Sequence, residues 1–207
     1  MNNENFQKMS RTDIGLCKKG VASIAGISRK LGVRNVQSAR FMRDSVVGHL
    51  LSPDVKMNTN IRGWDGILPD GTKFECKNIT SSAKTQTSYA LTLQDISHEK
   101  LMEFAQGAIC VLSFWGDAAE PDFCLVGNSK MVADELIRSY NPNGYRSRAS
   151  VGFQKCLEKG FKLVAVNFDR EQTMDSVSII FPKIALMPLE SIMTKEQLPE
   201  IARQMSK

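Results

Sequence analysis

Between Val36 and Leu51 the apolar residues Val36, Ala39, Met42, Val46, Val47 and Leu50 recur at steps near 3.6, which predicts an amphipathic helix ended by Pro53. Residues 12–34 also read as helical and are rich in Gly, Lys and Arg. From Ile61 to Lys77 the period shortens, and two short strands are expected around the turn Pro69-Asp70-Gly71. After the polar stretch Asn78 to Ser88, a strand is predicted from Tyr89 to Leu93. Ser97 then caps a helix that carries Leu101, Phe104 and Ala105 on one side. Ala108 to Phe114 and Phe123 to Gly127 read as buried strands, and Lys130 to Tyr140 and Phe153 to Lys159 as helices. Strands are expected at Lys162 to Phe168 and Ser176 to Phe181. A last helix follows Thr194, whose Thr-x-x-Gln pattern is a capping box.

This order is a mixed α/β arrangement of the α+β kind: a central mixed sheet flanked by helices, with strands in the middle and helices at both ends. At 207 residues the chain suits one compact domain, with 42% apolar and 24% charged residues excluding a disordered or fibrous chain. It divides into a basic helical segment (1–34), a core (35–190) and a C-terminal helix (191–207). No run reaches the roughly 18 apolar residues of a membrane span, and the start MNNENFQK lacks a signal peptide's apolar stretch, so no membrane partner and a cytoplasmic location are expected. The five cysteines (Cys17, Cys76, Cys110, Cys124, Cys156) are scattered without a CxxC pair and are expected to be reduced and mostly buried, without structural zinc.

Charge changes the picture more than composition does. Residues 1–62 hold 11 Lys/Arg against 4 Asp/Glu, a balance of +7, while the rest is −2. A basic third beside a near-neutral body suits a polyanion binder, and equally a solvated basic surface. Ile24 to Val33 has the outline of a helix-turn-helix, although a short helical pair packed on the core is the favoured reading there.

The hairpin carries the candidate chemistry. In Glu75-Cys76-Lys77 the carboxylate and the ammonium stand at i and i+2 of a strand and share one face, with Cys76 turned into the core. Leu68 to Thr72 suits a three-residue loop with Gly71 in the left-handed position. Counting outward, Ile67 faces Lys73, Gly66 faces Phe74 and Asp65 faces Glu75, while Trp64, Phe74 and Cys76 fall on the opposite, apolar face. Directly opposed acids repel unless a cation relieves them. Phosphodiester hydrolysis uses such a cation, commonly Mg²⁺ on one or two carboxylates, to polarise the phosphate and acidify an attacking water. An ExK triplet alone is expected about once by chance in a chain of this length; the hairpin around it gives it weight.

The hairpin, its ExK triplet and the preceding helix resemble the PD-(D/E)XK nuclease superfamily, which includes many type II restriction endonucleases. The resemblance spans roughly residues 35–115, with only the hairpin motif-specific. It implies a restriction-endonuclease-like core at 35–190 and a metal-dependent endodeoxyribonuclease acting on double-stranded DNA as a homodimer, with Mg²⁺, or Mn²⁺ in its place. It further implies that Asp65 and Glu75 bind the metal and that Lys77 orients or activates the water, these three being the catalytic set. The Cys76 carbonyl would add a ligand, and Asp44, the acid on the preceding helix, another. The chain departs from the family pattern in that Asp65 follows Trp64 and not Pro. The literal pairs are Pro53-Asp54, at a helix end, and Pro69-Asp70, in the turn.

Other chemistries lack their residues. The chain has only His49 and His98, both expected at the surface, and it lacks GxxxxGK[ST] and GxSxG, so neither a nucleotide cofactor nor a serine hydrolase is expected. Arg40, Arg43 and Arg62 near the hairpin, and Tyr145, Arg146 and Arg148 in an Asn/Gly/Arg-rich loop, are the candidate DNA contacts. Two further readings stay open: a non-catalytic DNA-binding regulator, and a repair or junction-resolving nuclease of the same fold.

Overall fold

In the computed structural model, residues 6–31, 40–58, 63–80, 89–143, 147–180 and 187–207 are described. Strand β1 (Phe6–Lys8) leads into helices α1 (Arg11–Leu31) and α2 (Arg40–Leu51), then into strands β2 (Lys56–Asn58), β3 (Gly66–Ile67) and β4 (Lys73–Thr80). Next come β5 (Ala90–Gln94), α3 (His98–Ala105), β6 (Ile109–Trp115), β7 (Phe123–Asn128) and α4 (Ala133–Ser139). The chain closes with β8 (Arg148–Gly152), α5 (Phe153–Glu158), β9 (Lys162–Ala165), α6 (Arg170–Ile180), β10 (Met193–Thr194) and α7 (Leu198–Met205).

An eight-stranded sheet runs in the order β1-β2-β3-β4-β6-β7-β9-β10, with β5 and β8 forming a separate pair. The β4–β6 and β9–β10 pairs are parallel and the others antiparallel, so the sheet is mixed, as the element order predicts. β6 and β7 are buried at every position because helices cover both faces. On one face Val46, Val47 and Leu51 of α2 and Leu198, Ile201 and Ala202 of α7 pack on Phe74, Cys76, Val111 and Val126. On the other, Leu101 and Phe104 of α3, Leu136 of α4 and the β5–β8 pair cover Cys110, Leu112 and Leu125. Four of the five cysteines are buried and all are free. Among the described residues no helix is long and apolar enough to cross a membrane.

Helix starts follow local chemistry. Ser10 and Asp13 bond each other's backbone N–H at 3.0 and 3.1 Å, a reciprocal cap that opens α1. Ser97 caps α3, and Thr194 with Gln197 forms the expected capping box ahead of α7. One expected strand is corrected: within Ser176 to Phe181, residues up to Ile180 belong to α6, and Phe181 lies outside the described residues. The β-branched run there suggests a strand, but Asp169 and Gln172 cap each other's N–H groups at 2.8 and 3.1 Å and start a helix instead. Thr173, Met174 and Val177 are buried at helical spacing, and Ile179 is left in solvent. The strand expected over Lys162 to Phe168 ends at Ala165.

The hairpin forms in the expected register, with Gly66 opposite Phe74 and Ile67 opposite Lys73. Leu68 bonds Thr72 at 2.8 Å, and Gly71 has φ +90°. Beyond Gly66 the ladder changes. Asp65 donates its N–H to the Phe74 carbonyl at 3.2 Å, one step out of register, and β3 departs from β4. This slip carries Trp64 to the face opposite Phe74 and Cys76, where its ring stacks on Phe104 with centroids 5.3 Å apart. The expectation that Trp64, Phe74 and Cys76 share a face is thereby corrected.

Candidate active site

From Cys76 onward the outer edge of β4 has no strand partner among the described residues, because β3 pairs with β4 only at Lys73 and Phe74. The expected site residues gather at this fork. Asn58 of β2 positions the incoming segment, donating its side-chain amide to the Trp64 carbonyl at 2.7 Å and its backbone N–H to the Asp65 carbonyl at 2.9 Å. Asp65 turns its carboxylate to the bare edge, where Oδ2 accepts the Cys76 N–H at 2.7 Å. A strand residue presents its N–H and C=O on the same edge, so the Cys76 carbonyl faces the gap as well. Its thiol is buried on the α2 face.

Glu75 and Lys77 lie on the face of β4 that also buries Ile79, with Lys77 Nζ 2.6 Å from Glu75 Oε1. Asp44 comes from α2 on the other face. Its Oδ1 accepts the Asn78 amide at 2.6 Å, and Asn78 is oriented in turn by the Ser113 hydroxyl (2.8 Å) and the Trp115 indole N–H (3.1 Å), both donating to its Oδ1. Asp65 therefore does not stand squarely across from Glu75, as a regular register would have it. It lies at the sheet edge between Glu75 and Asp44. Arg40 bridges the two aspartates, with Nη2 3.4 Å from Asp65 Oδ1 and Nε 3.6 Å from Asp44 Oδ2.

The electrostatics record crowding of acids. Burial drives the Asp65 carboxyl well above the usual carboxylate range, and Glu75 and Asp44 push it further up. Burial likewise pushes Asp44 up to about 6, against the lowering influence of the Asn78 hydrogen bond and Arg40. Burial acts to lower the Lys77 pKa, but Glu75 and Asp65 outweigh it and hold the ammonium above the ordinary lysine value. Among the described residues no three His, Cys, Asp or Glu side chains converge as a ready metal cage. Arg40 and Lys77 pair with these acids instead.

Arg43 is buried, with its guanidinium 5.4 Å from the Trp115 ring centroid and its Nε and Nη1 without a hydrogen-bond partner. Burial lowers its pKa, and Asp44 is the opposing influence. Arg148 is exposed on β8, on the far sheet, while Arg62, Tyr145 and Arg146 lie outside the described residues. Asp54 is exposed and paired with Lys8, away from the fork, and Asp70 caps the turn by accepting the Thr72 N–H at 2.9 Å. His98 is exposed as expected, but His49 is half-buried with Nδ1 unpartnered, because α1 packs on α2. A cleft of about 610 Å³ lies elsewhere, between Ala165, Phe168, Arg170 and Lys195, and holds none of the expected residues.

Asn78, Ser113 and Trp115 belong to the site without being expected from the sequence. One signal could have flagged Asn78: it follows Lys77, and two consecutive polar residues break the pattern of a strand covered on both faces. No protein-family model matches the chain, and no curated protein matches it.

Proposed function

We propose that the protein is a magnesium-dependent endonuclease that hydrolyses phosphodiester bonds of double-stranded DNA, with a core resembling that of restriction endonucleases. One observation carries the reading: Asp44, Asp65, Glu75 and Lys77 gather at the edge of β4 that β3 leaves bare. The available donors are all oxygens, namely three carboxylates and the Cys76 carbonyl, which suits Mg²⁺ or Mn²⁺ and not zinc. Burial, with the neighbouring acids, raises the Asp44 and Asp65 pKa values in the metal-free chain, and a cation at the fork would favour their ionised forms.

Bound Mg²⁺ would supply charge for the phosphate and lower the pKa of a water. The chain's own part is to hold the reacting groups. The Cys76 N–H fixes Asp65, and Asn78 fixes Asp44, so neither carboxylate needs to reorganise. Lys77, kept protonated by Glu75 and Asp65, serves to position the attacking water and not to take its proton. The +7 balance of residues 1–62 favours a polyanion.

The test is incubation of supercoiled plasmid with Mg²⁺. Wild type is expected to nick or linearise it, and Lys77→Ala and Glu75→Gln to lose about 10²–10⁴-fold in rate. Equal cutting by wild type and Lys77→Ala, or no cutting of any DNA across many sequences, would overturn the reading. Salt-sensitive binding that Asp65→Asn leaves unchanged would favour a DNA-binding regulator.

A further inference from the structure

A carboxylate has two oxygens, and at the fork each aspartate spends one of them on holding itself in place. Asp65 commits Oδ2 to the Cys76 N–H at 2.7 Å, and Asp44 commits Oδ1 to the Asn78 amide at 2.6 Å. The two uncommitted oxygens, Asp65 Oδ1 and Asp44 Oδ2, face the same guanidinium, at 3.4 and 3.6 Å. The aspartate side chains are 9% and 6% exposed, whereas that of Arg40 is 53% exposed. Fixed, buried oxygens thus meet a cation that reaches in from solvent on a long stem and makes only loose contacts. Such half-exposed pairs are individually weak, while burial makes the unneutralised acids costly.

We propose that Arg40 is a stand-in cation: its guanidinium keeps the place between Asp44 and Asp65, yields it when a divalent ion arrives, and turns to a phosphate of the nucleic acid. The inference rests on the reading of the fork as a metal site and adds to it an exchange between ion and arginine. The exchange links metal to substrate. Without the ion, Arg40 is engaged with the acids and gives little to DNA. With the ion in place, like charge drives Arg40 outward, where a phosphate can take it.

Mn²⁺ binding, followed by calorimetry on the metal-free protein, tests the first half without any reaction. Arg40→Gln is expected to bind Mn²⁺ about 3–30-fold more tightly than wild type, since two loose ion pairs no longer compete. On an Asp44→Asn background the same substitution should gain less, because one of the two pairs is already gone. Arg40→Met serves as a second neutral variant, with thermal unfolding of each protein checked first. Unchanged or weaker Mn²⁺ binding in both neutral variants, beside clear binding by wild type that Glu75→Gln weakens, overturns the exchange and leaves the metal site standing. Absence of Mn²⁺ binding in every variant removes both.

Binding of a duplex oligonucleotide tests the second half. With Ca²⁺ in place of Mg²⁺, Arg40→Gln should weaken binding and lower the salt slope by about one phosphate contact. Without divalent ions it should change neither. An equal loss in both conditions overturns the exchange.

Discussion

Asn78 donates its side-chain amide to Asp44 Oδ1 at 2.6 Å, joining the middle of β4 to helix α2 across a buried carboxylate. The Asn78 carbonyl oxygen takes the Ser113 hydroxyl and the Trp115 indole N–H, so only the amide nitrogen is left to face Asp44. Replacing Asn78 by Ala removes the donor and leaves Asp44 buried with less support. The expected outcome is a loss of about 1–3 kcal/mol in stability by urea unfolding. Mn²⁺ affinity should fall about 10–100-fold, the usual consequence of removing a group that orients a ligand. Full Mn²⁺ affinity in Asn78→Ala would show that Asp44 takes no part in holding the ion.

Asp44 also gives the metal-free protein a pH signature. Its pKa rises from 3.8 to about 6 on folding, with burial the leading cause. The folded chain therefore holds this proton more tightly than the unfolded chain. The stabilising share is fully present below pH 3.8 and is lost as the pH climbs through about 6. Asp44→Asn keeps an oxygen for Asn78 and carries no charge. It should exceed wild type in stability by on the order of 2 kcal/mol at pH 7.5, with the gap closing toward pH 4. Urea midpoints of the two proteins between pH 4 and 7.5 check this, and a gap that widens on acidification would contradict it.

The hairpin was the legible part of this site, and the reason is chemical. Pro69, Asp70 and Gly71 specify one loop length, Gly71 takes φ +90°, and strand alternation then places Glu75 and Lys77 on one face. The slip at Asp65 was not legible, because it depends on β2: Asn58 grips Trp64 and Asp65 from a strand of three residues whose pairing comes from its neighbours. The same holds for β1 and β10, which are too short to show a period of their own. Helix α6 was misread because β-branched Val177, Ile179 and Ile180 outweighed the capping pair Asp169 and Gln172, which lies eight and five residues before Val177. Asp44 stood on the expected helix, but only the fold brings it to Asn78.

Lys77 separates a positioning role from a base. Burial opposes its charge, but in the metal-free chain Glu75 and Asp65 hold its ammonium above the ordinary lysine pKa, so the lysine is protonated when the ion arrives and the positioning role follows. A rate measured against pH should therefore show no limb belonging to Lys77. Lys77→Ala should lower the DNA-cleavage rate about 10²–10⁴-fold while the shape of the profile is kept. Loss of an alkaline or acidic limb in Lys77→Ala would instead make the lysine a proton carrier.

Gly66 and Gly71 separate the fork from the hairpin's own stability. A Cβ on Gly66 would lie 2.3 Å from the Phe74 ring and 2.8 Å from the Lys56 carbonyl oxygen, so β2, β3 and β4 cannot close as they do with any other residue there. Gly71 has open space around it, but its φ of +90° strains an L side chain. Each change to Ala is expected to cost about 1–3 kcal/mol, one through overpacking and the other through backbone strain. Their effects on the site should differ. Gly66→Ala pushes apart the strands that set Asp65 against the Cys76 N–H, whereas Gly71→Ala acts at the tip of the turn and leaves that contact alone. At matched stability, Gly66→Ala should weaken Mn²⁺ binding at least about 10-fold and Gly71→Ala hardly at all. Equal Mn²⁺ affinities in the two variants would mean that the slip at Asp65 is a packing detail and that the carboxylate finds the ion without it.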